Sequence, residues 1–189
     1  MPPCVLRRLA ARLPARFPLL LESAGTGPLS RMSALLAEPT AALWVDAAGH
    51  LGAEGVVPER AGFLGALESW WRRERAPPPT GSAEPALPFT GGWAVFLGYE
   101  MAEEIEPHLR LPPTPLPWRA FALRTPCALV HDRERQRVYA VAEAGARAAL
   151  ERVVDAAQAA ADTADPAQPL RIARVREEPA ALFLARVRR

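Results

Sequence analysis

An α+β fold, mostly antiparallel β-sheet with two to three packed helices, is predicted by three features of this 189-residue chain. Short apolar runs bounded by Pro, Gly, Asp or Ser recur at both ends of the chain, the signature of strands joined by tight turns. Two longer segments, Pro58 to Arg75 and Ala144 to Asp162, repeat apolar residues at helical spacing. Half of all residues are apolar, enough to build a core without disulfides or metal.

In chain order, residues 1–16 read as an N-terminal arm, rich in Arg and Pro. Residues 17–175 read as one domain. Phe17 to Ser23 (FPLLLES) is its first strand, and Ala24 to Pro28 a loop by composition. Arg31 to Glu38 and Ala41 to Asp46 read as strand material broken by Pro39, followed by a turn at Gly49. These first fifty residues are expected to form an antiparallel meander with a short edge near Leu51. From Pro58, which suits a first helical position, Phe63, Leu64, Leu67, Trp70 and Trp71 fall on one face of a helix. Glu68 and Arg72 make an i,i+4 pair on that helix. The paired tryptophans are expected in the core rather than as a base-stacking platform.

Residues 76–88 carry five prolines in thirteen positions and read as a stiff linker. The unit that follows, Leu87 to Pro107, organises the rest. Gly91-Gly92 make a turn, Trp93 to Leu97 an uncharged strand expected to be buried on both faces, and Gly98 a hinge. Tyr99 to Glu106 is an acidic helix stopped by Pro107. After the proline-rich Leu111 to Pro117, Ala120 to His131 and Arg137 to Glu143 form a hairpin around a charged turn. Ala144 to Asp162 is the second helix, and Leu170 to Val175 a short strand. Residues 176–189 begin a helix with a good apolar face and no stop signal, which reads as cut rather than finished.

Charge excludes some function classes. All 23 basic residues are Arg and are interspersed with 21 acids, so there is no basic stripe for nucleic acid. The longest apolar runs reach about a third of the ~20 residues a membrane helix needs. The Arg-rich N-terminus has too short an apolar block for a secretory signal, and a cytoplasmic location is expected. Cys4 and Cys127 are expected as two reduced thiols.

No catalytic constellation stands out. There is no metal-ligand spacing, nucleophile elbow or phosphate loop. Cys127 and His131 share a strand face, but at i,i+4 they lie about 13 Å apart, too far for proton transfer. Glu100, Glu103, Glu104 and Glu106 offer a cation site or, more simply, a solvated helix face.

Four ordered blocks carry a resemblance: FPLLLES, PLSRMSALLAEP, PFTGGWAVFLGYEMAEEIEP and the hairpin CALVHDRERQRVYAV. Together they resemble the N-terminal domain of component I of aminodeoxychorismate synthase and anthranilate synthase, the chorismate-utilising synthases. The resemblance covers Phe17 to about Val141. It implies the N-terminal half of that family's αβ sandwich, a scaffold without catalytic residues and without cofactor. The Mg²⁺-dependent active site would lie in a chorismate-binding domain that this sequence does not include, and a glutaminase subunit would be the partner. It also implies the N-terminal share of a tryptophan-type pocket at Glu22, Ser23, Leu29, Ser30 and Met32. There Glu22 would pair with an ammonium group, the serines would hydrogen-bond, and Leu29 and Met32 would wall an indole. The compact N-terminus and the LPFTGG turn look more like aminodeoxychorismate synthase. A free-standing amino-acid-binding regulatory module of the same fold is the rival reading.

Overall fold

Two stretches of chain bend at facing positions, and this bend creates two sheets from what the sequence reads as one meander. In a computed structural model, residues 4–25, 27, 30–75, 87–161, 174 and 177–188 are described. Strand β2 (Met32–Ala37) gives way to β3 (Ala41–Asp46) across Glu38, whose φ is 54°, and Pro39. The left-handed residue and the proline end one ladder and start another, so β2 and β3 do not pair. Strands β6 (Trp118–Thr125) and β7 (Cys127–Asp132) are likewise separated by Pro126. Ala37 pairs with Cys127 and Ala41 with Arg124, so the two bends lie against each other.

The first sheet has the order β1-β2-β7-β8, where β1 is Leu19–Leu21 and β8 is Arg137–Ala142. The second has the order β4-β3-β6-β5, where β4 is Leu51–Glu54 and β5 is Gly92–Leu97. All neighbours are antiparallel. The sequence places β7 and β8 in a hairpin, as observed, but Ala120 to Thr125 belongs to the other sheet.

Three apolar layers hold the stack. On the outer face of the first sheet, Leu35, Cys127 and Leu129 pack against helices α1 (Cys4–Arg12) and α4 (Arg147–Ala161). Alternation turns Ala34, Leu36, Ala128 and Val130 inward, against Ala94 and Leu123 of the second sheet. On the far face of the second sheet, Leu43, Val45, Ala120 and Ala122 pack against Phe63, Ala66 and Trp70 of helix α2 (Phe63–Glu74). The architecture is helix, sheet, sheet, helix, an α+β fold.

The structure revises several expectations. Residues 1–16 are set apart as an arm by sequence, yet Val5, Leu6 and Leu9 of α1 are fully buried in the core. Among the described residues strand β5 pairs with β6 alone, at the edge of its sheet, and one of its faces is partly bare: Val95 and Leu97 are about half exposed, at 48% and 51%. Helix α2 starts at Phe63, not Pro58, because Gly62 adopts φ 80° immediately before it. Trp70 is core, whereas Trp71 faces outward beneath the Arg75 guanidinium, 4.9 Å from its ring centre. The acidic segment is a 3-10 turn (Tyr99–Met101) and a single α-turn, α3 (Ala102–Ile105). Helix α5 (Ala180–Val187) has no buried residue. The linker 76–86 and the strand expected at 170–175 lie outside the described residues, Arg174 and the end at 87–88 excepted.

Candidate functional site

The residues expected to share a pocket gather at the outer end of the first sheet, where β1 runs into the loop leading to β2. Ser23 is tied across this loop: its hydroxyl donates to the Met32 carbonyl at 2.7 Å, and its N–H donates to Ser33 Oγ at 3.1 Å. Arg133, from the β7–β8 turn, donates through Nη1 to the carbonyls of Ser23, Gly25 and Ser30 at 2.9, 3.0 and 3.1 Å. One guanidinium therefore holds both ends of the loop. The Glu22 carboxylate accepts from Arg7 Nε of α1, with both oxygens at 2.9 Å. Hydrogen bonds thus link Ser23 to Met32 directly and to Ser30 through Arg133, whereas the Glu22 carboxylate turns to Arg7 of α1 and Leu29 lies outside the described residues.

Beneath this loop lies a buried ionic hub. Asp132, at the end of β7, is fully buried and accepts from Arg31 Nε and Nη2 at 3.0 and 2.6 Å. It also accepts from the backbone N–H groups of Glu134 and Arg135 and from Arg135 Nη1. The hydrogen bonds from Arg31, followed by those from Arg135 and Glu134, outweigh burial and hold this carboxyl well below the usual carboxylate range. Sequence reading missed Arg7, Arg31, Arg133 and Asp132 as parts of this site. The only signal was an Arg-rich N-terminus and a charged hairpin turn, both of which read as surface.

Glu22 already has a cation partner in Arg7, which is itself exposed, so an incoming ammonium would exchange with a solvated guanidinium. Cys127 is buried, and burial pushes its thiol up to about 11, which removes it as a nucleophile at neutral pH. His131, on the same face of β7, is buried with no hydrogen-bond partner at Nε2 among the described residues, and burial lowers its pKa. Both cysteines are free thiols.

Two members of the acidic set have structural partners. Glu104 accepts from the N–H groups of Phe63 and Leu64 at 3.1 and 2.8 Å and so caps α2. Glu103 accepts from Leu111 N–H at 2.7 Å and faces Arg119 at 3.5 Å. Among the described residues no group of three or more His, Cys, Asp or Glu is placed to hold a metal ion. No described helix is long and apolar enough to cross a membrane.

A further hollow lies on the inner face of the second sheet. It is a cleft of about 490 Å³ lined by Pro18, Ala42, Trp44, Trp118, Phe121 and Leu123. Phe121 stacks on Phe96 at 5.3 Å and meets the edge of Trp118 at 6.0 Å. The Trp44 ring lies over Gly52, opposite it on β4; a Cβ there would come within 2.4 Å of the ring.

No family model matches the chain, and no curated protein matches it. A solved structure does: anthranilate synthase component I from Streptococcus pneumoniae TIGR4, with a TM-score of 0.55 at 20% identity over 88% of this chain. The chain has an anthranilate synthase component I-like fold. It spans only 36% of the length of that solved chain. The paired four-stranded sheets and their flanking helices are therefore a partial version of the anthranilate-synthase-like architecture.

Proposed function

We propose that residues 1–189 are the N-terminal, non-catalytic portion of aminodeoxychorismate synthase component I. That enzyme aminates chorismate to 4-amino-4-deoxychorismate on the way to p-aminobenzoate and folate. The observation that carries this reading is the likeness to a component I structure over 88% of this chain but 36% of the other, joined to the four ordered sequence blocks. In this reading the catalytic groups and Mg²⁺ belong to a chorismate-binding portion, and ammonia comes from a glutaminase subunit. The loop at Glu22, Ser23, Leu29, Ser30 and Met32 is the N-terminal share of a tryptophan-type pocket. A second reading, the same portion of anthranilate synthase component I, is favoured by the function named for the solved neighbour.

Purified 1–189 incubated with chorismate, an ammonium salt and Mg²⁺ is expected to give no turnover; consumption of chorismate would overturn the non-catalytic assignment. The polypeptide encoded from Met1 through any reading frame beyond Arg189 is expected to form 4-amino-4-deoxychorismate. Anthranilate as its product would select the second reading. Calorimetry of 1–189 with tryptophan is expected to show negligible heat, because only one side of the pocket is present. Tight binding would instead indicate a free-standing amino-acid-binding module.

A further inference from the structure

His131 of β7 is 3% exposed, and its Nε2 has no hydrogen-bond partner among the described residues. It lies on the outer face of the first sheet, two residues beyond Leu129, at the end of the layer that α1 and α4 cover. Its register neighbours are Ser33 on β2 and Val138 on β8, neither of them charged. Ser33 is buried, and its Oγ accepts from the Ser23 N–H just past β1. Carrying the Leu21–Ala34 register one step on sets Glu22 opposite Ser33. Glu22, Ser33 and His131 therefore form a row across β1, β2 and β7, with the Glu22 carboxylate turned to Arg7 of α1. The charged groups on the surrounding elements are likewise engaged. Asp132 is gripped by Arg31 and Arg135, and Arg133 donates to the carbonyls of Ser23, Gly25 and Ser30. Arg8 of α1 donates to the Ala160 carbonyl, and Arg152 of α4 pairs with Glu38 at the Cys127 end of the strand. Cys4, at the start of α1, is a half-buried free thiol.

We propose that His131 is a proton-operated latch: on taking up a proton it drives the Glu22–Ser23 end of β1, and α1 with it, off the first sheet. An imidazolium has two N–H donors and no acceptor. In this layer its Nε2–H finds no acceptor, and its charge is cut off from water beside the Arg133 guanidinium. Burial, and after it Arg133, accordingly lower the His131 pKa. Relief comes from water or from the Glu22 carboxylate, and both need the same opening. Strands β2 and β8 each hold β7 along six residues, whereas β1 is three residues long and is extended by the Ser23–Ser33 bond alone. The ion pair that ties α1 to it is solvated, with the Arg7 side chain 68% exposed, and is correspondingly weak. This side of the layer therefore yields first. The latch operates whether or not an amino acid binds beside Glu22 and Ser23.

The test is amide exchange of 1–189, corrected for the intrinsic effect of pH, between pH 7.5 and 5, above the range in which Asp132 titrates. Once opened, His131 titrates near its ordinary value of about 6.5, so each pH unit below that favours the open form by up to tenfold. Protection at Ser23 and through α1 is expected to fall about tenfold across this range, with the β3–β6 ladder unchanged. His131→Leu fills the same layer without a proton site and should keep that protection constant. Should the variant fail to fold, the imidazole signals of the wild-type protein decide: His131 should titrate below about 6.5, and the Ser23 amide shift should follow it. Constant protection in the wild type, an equal fall in His131→Leu, or titration of His131 at or above about 6.5 overturns the latch.

Discussion

Asp132 shows how much of this molecule depends on single side chains whose partners are remote in sequence. Its carboxylate is buried at the β7 terminus, yet it stays ionised because Arg31, 101 residues earlier, grips it with two donors while the hairpin turn adds backbone N–H groups. A carboxyl whose pKa is lowered by folding stabilises the native state above its unfolded value, near 3.9, and that contribution is lost as pH falls toward the folded value. Urea midpoints should therefore drop steeply below about pH 4. In Asp132→Asn the fall should be shallower and start from a lower midpoint at pH 7; an unchanged pH slope would remove Asp132 from the hub. Gly91 is constrained differently. Its φ is 120°, and a Cβ would come within 2.2 Å of Glu143 Cγ. Gly91→Ala should cost about 2 kcal/mol by chemical denaturation, from backbone strain plus displacement of Glu143. The double glycine was legible from sequence as a turn. That it lies against the side chain of Glu143, just past the end of β8, was not, since no local pattern encodes a contact 52 residues away.

At the scale of elements, periodicity was a sound guide to what forms and a poor one to what it pairs with. The apolar repeat from Phe63 to Trp71 announced α2, and the short apolar runs in MSALLA and CALVHD announced β2 and β7. The start of α2 was misplaced because its cap is not local: Glu104 reaches back 40 residues to accept from Leu64 N–H, where sequence rules look to the adjacent Pro58. Removing that acceptor in Glu104→Ala should cost about 1 kcal/mol, the usual worth of a helix cap, and should speed amide exchange in the first turn of α2. An unaltered exchange pattern would show that solvent caps the helix equally well. Strand β5 was misread for a related reason. An uncharged run such as Trp93 to Leu97 fits a strand covered on both faces, but only the count of partner strands decides whether it is central or at an edge. As an exposed edge with Val95 and Leu97 bare, it invites pairing between molecules. Val95→Lys should raise the concentration at which light scattering first appears, leaving the thermal midpoint within about 2 °C, since surface changes rarely exceed 0.5 kcal/mol.

At the scale of the whole molecule, the two sheets are joined by covalent bends at Glu38–Thr40 and Pro126, by the apolar layer between them, and by one guanidinium. Arg124, a tenth exposed, donates to both oxygens of Glu143 at 2.8 and 2.6 Å and to the Gly92 carbonyl at 3.0 Å. It lies 4.3 Å over the Trp93 ring and 3.5 Å from Glu74 of α2. A single side chain on β6 thus ties β8 of the first sheet to β5 and α2 of the second. Arg124→Leu keeps much of the apolar stem but leaves Glu143 without its cation in a mostly buried position. Breaking such a pair from one side costs about 3 kcal/mol, more than replacing both partners. The double variant Arg124→Leu with Glu143→Leu should therefore recover a large part of the loss. The readout that separates this role from mere local packing is cooperativity. Wild-type unfolding followed by Trp fluorescence, which reports on the α2 layer through Trp70 and Trp93, should coincide with far-UV circular dichroism. In Arg124→Leu the two curves should separate, the second sheet with α2 melting first. Coincident curves in the variant would mean that the bends and the apolar layer between the sheets hold them together without this guanidinium.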